Sequence, residues 1–132
     1  MLGELEGDGR IVICDMESGL GALSRTAPGQ LDLVIVVAEP SVKGIDIASR
    51  AARIAISRAR VIVVANRVRE PPDYTLMHAA LGEHELIAIP EESAIALAER
   101  EGEAPIDVDP DSPGVTALLG LAERIAAYRS SS

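Results

Sequence analysis

Polar residues follow four short apolar runs of the sequence, and their types could bind an ion or a ligand. Asp15 comes directly after the first run, IVIC, and Gly19 follows four positions later. In a nucleotide-binding sheet, an acid after a strand can hold the water shell of Mg²⁺, and a glycine amide can approach the terminal phosphate. The other runs are followed by Glu39-Pro40-Ser41, Asn66-Arg67-Val68 and Pro90-Glu91-Glu92. The side-chain amide of Asn66 offers the paired donor and acceptor that can read a base.

The four apolar runs have the composition of buried parallel strands. They are short, rich in Val and Ile and apolar on both faces, and they cover residues 11–14, 33–38, 61–65 and 86–89. Since parallel strands share a direction, we expect Asp15, Glu39, Asn66 and Pro90 to lie on one edge of the sheet. Each of these residues also has a purely structural explanation, because strand ends are turns.

Helical patterns separate and follow the strands. One begins behind Ser41 and another behind Asp73, and both side chains can cap free helix amides. A short helix is expected from about Glu92 to Arg100. A longer one follows Ser112, and its expected buried stripe is Leu118, Leu119, Ala122 and Ile125. The pattern predicts an α/β fold: one domain over residues 1–132, a parallel sheet of about four strands with helices on both faces, and a frayed tail at 130–132.

Charge and composition exclude several classes of function. The 132 residues carry twelve basic and twenty-one acidic side chains, a net charge of −9. Such a field repels nucleic acid and anionic lipid, so we expect neither partner. No apolar run approaches the roughly 20 residues of a membrane span. Cys14 is the only cysteine, so no intrachain disulfide is possible, and a cytoplasmic location is expected.

Metal ligation is not expected from the remaining motifs. The stretch DVDPDSPG resembles a calcium loop, but Ser112 stands where that loop needs glycine and Leu118 where it needs a bidentate Glu. His78 and His84 flank a helix end, where a solvated surface is the commoner explanation. The prediction is therefore no metal site in these motifs.

The order of the strand-end motifs resembles the second half of the MinD-ParA class of dimeric P-loop ATPases, and in particular the carbon monoxide dehydrogenase maturation ATPases, which insert nickel. The matching stretches are ICDMESG, VVAEPSVKGIDIASR, VVANRVRE and AIPEESAIALAEREGEAPID, which together cover most of residues 10–110. The resemblance implies a partial P-loop NTPase fold with ATP and Mg²⁺ as cofactors.

The resemblance also implies roles for individual residues. Asp15 would be the catalytic Walker B or switch acid, acting on a magnesium-bound water, and Gly19 the switch glycine. Asn66 would read the adenine, and Pro90 and Glu91 would form part of the wall around the base. The matched motifs add further expected cofactor-binding residues, Glu39, Pro40 and Arg67.

One part of the family pattern is absent from these 132 residues. Such ATPases begin with a glycine-rich loop, KGGxGKT, whose amides and lysines hold the phosphates. Here Lys43 is the only lysine, and Val42 precedes it where the loop requires glycine. We therefore expect the chain alone to bind ATP poorly and to hydrolyse it negligibly. The metal-binding CxC of the family would lie in the same absent half, so nickel binding does not carry over.

Two functions from different classes stay open on this basis. The first is an ATPase of the maturation type, truncated or completed by a partner chain. The second is a non-catalytic binding or scaffolding module. In the family, the strand leading into the P-loop lies between the counterparts of residues 11–15 and 33–38. These two strands must therefore pair with each other or accept a strand, so we expect a homodimer or a partner chain that supplies the absent half.

Overall fold

Three Val- and Ile-rich stretches form one parallel sheet in the computed structural model, which describes residues 9–16 and 20–129. The elements in chain order are α1 Leu20–Ser24, β1 Leu33–Ala38, α2 Val42–Ala55, β2 Arg60–Val68, α3 Pro71–Leu81, β3 Glu85–Pro90, α4 Ser93–Glu101, α5 Pro105–Val108 and α6 Pro113–Arg129. The strand order is β1-β2-β3, and both pairings are parallel. The prediction of an α/β fold with a parallel sheet is confirmed.

The prediction of a first strand at residues 11–14 is wrong. Residues 11–16 have no regular structure, and the side chain of Ile13 is 81% exposed. The described residues therefore form three strands rather than four. An apolar run provides two faces that can be buried, but only a neighbouring strand can satisfy its backbone hydrogen bonds. The tail at 130–132 lies outside the described residues.

Helices cover both faces of the sheet, as predicted. On one face α2 lays Ala48, Ala52 and Ala55 against β1 and β2, and these small side chains permit a close approach. Met77 and Leu81 of α3 complete that core cluster. On the other face, Ile62, Val64 and Ile89 pack against Ala117 and Leu121 of α6.

The first turns of α2 and α3 show which side chains cap them. The hydroxyl of Ser41 accepts a hydrogen bond from the Gly44 amide at 3.0 Å, which confirms the predicted cap. The prediction for Asp73 is wrong, because α3 already begins at Pro71 and places Asp73 inside its first turn. There Asp73 accepts from the Arg69 amide at 3.1 Å. A proline at the first helical position gives up only an amide that has no helical partner.

The buried stripe of α6 differs from the predicted one. Ser112 accepts from the Val115 amide as expected, at 3.2 Å. Leu118 and Leu119, however, are 37% and 44% exposed. Ala122 is also exposed, and Ile125 is half-buried. The inner face is formed by Ala117, Leu121, Arg124 and Tyr128, which recur at helical spacing. A hydrophobicity pattern misses this face because Arg and Tyr bury their stems and keep polar tips.

The end of α6 contacts the beginnings of all three strands. Arg124 donates two hydrogen bonds to Glu85, at 2.5 and 3.0 Å, which tie α6 to β3. The hydroxyl of Tyr128 donates to the carbonyl of Asp32, just before β1, at 3.4 Å. The guanidinium of Arg60, at the start of β2, lies 4.7 Å from the Tyr128 ring centroid. No helix in the described part of the chain is both long and apolar enough to cross a membrane.

Candidate functional site

The carboxyl ends of the three strands meet at one edge of the sheet. Ala38 pairs with Ala65, and Ala65 pairs with Ala88, so the residues that follow these positions are neighbours. Arg67 Nη1 donates to Glu39 Oε1 at 3.4 Å, and Arg67 Nη2 donates to Glu91 Oε1 at 3.3 Å. We call this three-residue arrangement the Arg67 clasp. It confirms that residues at the carboxyl ends of β1, β2 and β3 come together.

A β-bulge in β2 places Arg67 between the two glutamates. Ala65 pairs with Ala88 while Val68 pairs with Pro90, so β2 advances three residues where β3 advances two. Arg67 adopts a φ of 57°, the only positive φ at a non-glycine residue in the described chain. This left-handed conformation is unfavourable for a residue with a Cβ. Bulges of this kind redirect a side chain at the end of a strand.

Glu91 is held by two guanidinium groups. Arg69 Nε donates to Glu91 Oε2 at 2.7 Å, opposite the oxygen that Arg67 contacts. The hydrogen bonds from Arg67 and then from Arg69 lower the pKa of Glu91 below its usual range. The pKa of Arg67 is raised, first by the hydrogen bond to Glu91 and then by the charge of Glu39. All these side chains are about half exposed, so water screens the pairs and each contributes little to stability.

The loop that carries Glu39 is held under the first turn of α2. The Ser41 amide donates to the Glu39 carbonyl at 2.8 Å. A Cβ at Gly44 would lie 2.8 Å from that carbonyl oxygen and 2.9 Å from Ser41 Oγ. Gly44 is thus required for the close approach that fixes Glu39. The sequence signal for it is a glycine three residues after a capping serine.

Glu91 and Glu92 are adjacent but serve different elements. Glu92 Oε2 accepts a hydrogen bond from the Gly114 amide, at the start of α6, at 3.4 Å. A Cβ at Gly114 would lie 2.9 Å from the Glu92 Cβ, so this helix start also depends on a glycine. Glu92 therefore anchors α6, and only Glu91 belongs to the clasp.

Asn66 and Pro90 complete the edge. Asn66 is half-buried in the bulge, and no described residue forms a hydrogen bond with its side chain. Pro90 pairs with Val68, whose carbonyl accepts the Glu91 amide at 2.9 Å. Within the described residues, the side-chain amide of Asn66 thus keeps an unused donor and an unused acceptor. Both guanidinium groups at the edge are bound to glutamates.

Asp15 was expected to follow the first strand of the sheet. Asp15 lies in the irregular segment 9–16, is exposed, and does not follow a strand. The prediction that it ends a strand of the sheet is wrong. Gly19 lies outside the described residues.

Two clefts are found away from the clasp. One of about 600 Å³ lies at the opposite edge of the sheet, between the strand beginnings and Arg58, Arg124 and Tyr128. Its cations have partners within the chain, since Arg58 donates to the carbonyls of Ser24 and Thr26 and Arg124 binds Glu85. A groove of about 320 Å³ runs between α2 and α3. Within the described residues, no group of three or more His, Cys, Asp and Glu side chains could hold a metal ion.

Comparison with solved structures finds the same fold in a cell division protein. The chain matches the MinD cell division protein of Aquifex aeolicus with a TM-score of 0.56 and 26% identity, over 74% of this chain and 45% of that chain. It matches the MinC:MinD cell division protein complex of the same organism with a TM-score of 0.58 and 26% identity, over 74% and 44%. The chain therefore spans less than half the length of these MinD chains. No family model matches it. No curated protein matches it.

Proposed function

We propose that the carboxyl edge of the sheet is the base-binding half of an ATP site of the MinD-ParA kind. The observation that carries the proposal is the convergence of Glu39, Asn66, Arg67, Pro90 and Glu91 at one edge of a sheet whose fold matches MinD. In this proposal Asn66 reads the adenine, and Pro90 and Glu91 form the wall beside it. Bound ATP would bring Mg²⁺ with it.

The finer family assignment rests on the sequence motifs. The four matched stretches support a protein of the carbon monoxide dehydrogenase maturation type. Asp15 keeps its proposed role toward magnesium-bound water and Gly19 its role as switch glycine, on the condition that segment 9–16 can reach the edge. The single cysteine, which excludes an intrachain disulfide, supports a cytoplasmic location.

We expect the chain by itself to hydrolyse no ATP. The 132 residues contain no P-loop, and the two guanidinium groups nearest the edge are neutralised by Glu39 and Glu91. Phosphate binding and transition-state charge stabilisation would have to come from further polypeptide. Turnover on the order of 1 per second in a phosphate-release assay with magnesium, abolished by Asp15→Ala, would contradict this.

A binding titration tests the base half directly. We expect adenosine and Mg-ATP to bind the 132-residue chain about equally, with Kd on the order of 1 mM, because the chain contains no P-loop and both arginines at the edge are paired with glutamates. Asn66→Ala should abolish binding, whereas Gln30→Ala, which removes an amide that accepts from the Ala27 backbone in the loop before β1, should not. Chemical-shift changes at the bulge would report the contact. Equal binding of guanosine, or an unchanged Kd in Asn66→Ala, would refute the proposal.

The second candidate is a non-catalytic binding or scaffolding module. The Arg67 clasp favours it, because the chain's own glutamates occupy the cations that a nucleotide-binding edge would offer. One of the matched structures is a complex of MinD with MinC, which makes protein binding a reasonable activity to test. The same titration separates the two candidates, since a scaffolding module should show no shift at the bulge with adenosine or Mg-ATP.

A further inference from the structure

The side chains of β2 change faces in an irregular order. Val63 and Ala65 pack into the core cluster under α2 and α3, as residues two positions apart in a strand should. Val68 packs against the same cluster, although it lies three positions after Ala65 and a regular strand would place it on the opposite face. One residue of β2 is therefore extra, which agrees with the register shift against β3 between Ala65 and Val68.

Asn66 is one of the two residues that form this bulge. Asn66 and Arg67 together stand opposite a single residue of β3, Ile89. In a regular strand Asn66 would continue the row of Ile62 and Val64, which pack on the face of the sheet that α6 covers. A side-chain amide in such an apolar row would lose contact with water and would need a partner inside the protein. The bulge interrupts the row before it reaches Asn66.

The side-chain amide of Asn66 is accessible to a ligand. Asn66 is half-buried, and its side chain forms no hydrogen bond with a described residue. Within the described residues, no buried side-chain nitrogen or oxygen lacks a hydrogen-bond partner. The nitrogen and the oxygen of the Asn66 amide must therefore both reach the surface.

The backbone conformation of Arg67 distinguishes the bulge from a regular strand. Its φ of 57° lies in the left-handed region, which glycine and asparagine tolerate and β-branched residues strongly disfavour. An extended backbone at this position would restore the regular alternation and move Asn66 into the row on the α6 face. The side chain of Arg67 is bound on both sides, by Glu39 and by Glu91. The guanidinium is therefore engaged within the protein by the Arg67 clasp.

We propose that Arg67 is a positioning residue for Asn66 and does not itself contact the nucleotide. Its left-handed backbone maintains the bulge, and the bulge keeps the Asn66 amide at the surface of the carboxyl edge. The inference rests on the proposed function for the identity of the ligand, an adenine nucleoside or nucleotide. It differs from the family resemblance, which implies that Arg67 binds the cofactor directly.

Substitutions of residue 67 separate the role of its backbone from that of its side chain. Arg67→Gly and Arg67→Asn remove the charge but tolerate a positive φ, whereas Arg67→Ala disfavours it and Arg67→Val does so more strongly. We expect the Kd for adenosine to stay within about twofold of wild type in the first two, and to rise about threefold for alanine and at least about tenfold for valine. If Arg67 contacted the nucleotide itself, all four uncharged variants would lose affinity equally, and that result would overturn the inference.

Accessibility of the Asn66 amide tests the inference without any nucleotide, so its failure is separate from failure of the proposed function. A soluble gadolinium chelate broadens the NMR signals of surface groups. We expect it to broaden the Asn66 side-chain amide signals in wild type and Arg67→Gly, and to lose that effect in Arg67→Val, or in Arg67→Ala if valine prevents folding. Arg100→Val makes the same change at an exposed site on α4 and should alter neither measurement. Equal broadening in all variants would overturn the inference, whether or not adenosine binds.

Discussion

Gly44→Ala should destabilise the protein, although glycine-to-alanine changes inside helices normally stabilise by about 1 kcal/mol. The new Cβ would lie 2.8 Å from the Glu39 carbonyl oxygen, and that atom belongs to the backbone and cannot rotate away. Forcing such contacts costs about 1–3 kcal/mol, and displacing Ser41 from its cap costs about 1 kcal/mol more. The gain in helix propensity offsets about 1 kcal/mol of this total cost, which leaves a net loss of stability of about 1–3 kcal/mol.

Gly120→Ala is the matched control. Gly120 lies within α6, and no atom comes within 4 Å of the place its Cβ would take, so the propensity gain of about 1 kcal/mol should appear undiminished. Urea unfolding followed by far-UV circular dichroism should give midpoints on opposite sides of the wild type with an unchanged slope. If Gly44→Ala is stabilised as much as Gly120→Ala, the Glu39 carbonyl does not approach residue 44 closely enough to exclude a Cβ.

Three further comparisons test other contacts by urea unfolding. Arg67→Gly should be more stable than Arg67→Ala by about 1 kcal/mol, because alanine keeps the strain of a positive φ; equal stabilities would contradict a strained bulge. Because the folded state lowers the pKa of Glu91, the stability that its ionised form adds is present above the usual glutamate value of about 4.3 and is lost as pH falls through the lowered pKa. The difference between wild type and Glu91→Gln should therefore shrink below about pH 4, and a difference that grows there would refute the assignment. Leu121→Ala should lower the free energy of unfolding by about 1–3 kcal/mol, and Leu119→Ala by less than about 0.5 kcal/mol. The stripe predicted from the sequence, which buries Leu119, would require the larger loss for Leu119→Ala.

The sequence predicted the parts of the fold that depend on local pattern. The runs at 33–38, 61–65 and 86–89 became strands, and Ser41 became a cap, because composition and spacing determine both. The run at 11–14 has the composition of a strand, but no described strand pairs with it, and composition alone does not determine pairing. The stripe of α6 was misplaced because Arg124 and Tyr128 bury polar-tipped side chains.

The candidate site was predictable in outline and not in detail. Parallel strands determine that Glu39, Asn66 and Pro90 share an edge. The bulge is a departure from regular pairing, so no periodic pattern indicates that Arg67 would take a positive φ and bind two glutamates. Glu91 binds Arg67, whereas Glu92 binds the Gly114 amide at the start of α6. Which glutamate contacts α6 depends on where that helix packs, and contacts between residues far apart in sequence determine its position.

The contact between Tyr128 and Asp32 has a consequence for how the protein is made. The two residues are 96 positions apart. At a ribosomal rate of about 5–20 residues per second, β1 waits roughly 5–20 s after its own synthesis before α6 can hold its amino end. During that interval the amino end of β1 lacks its contact with Tyr128. The sheet therefore cannot reach its described packing until α6 has been synthesised.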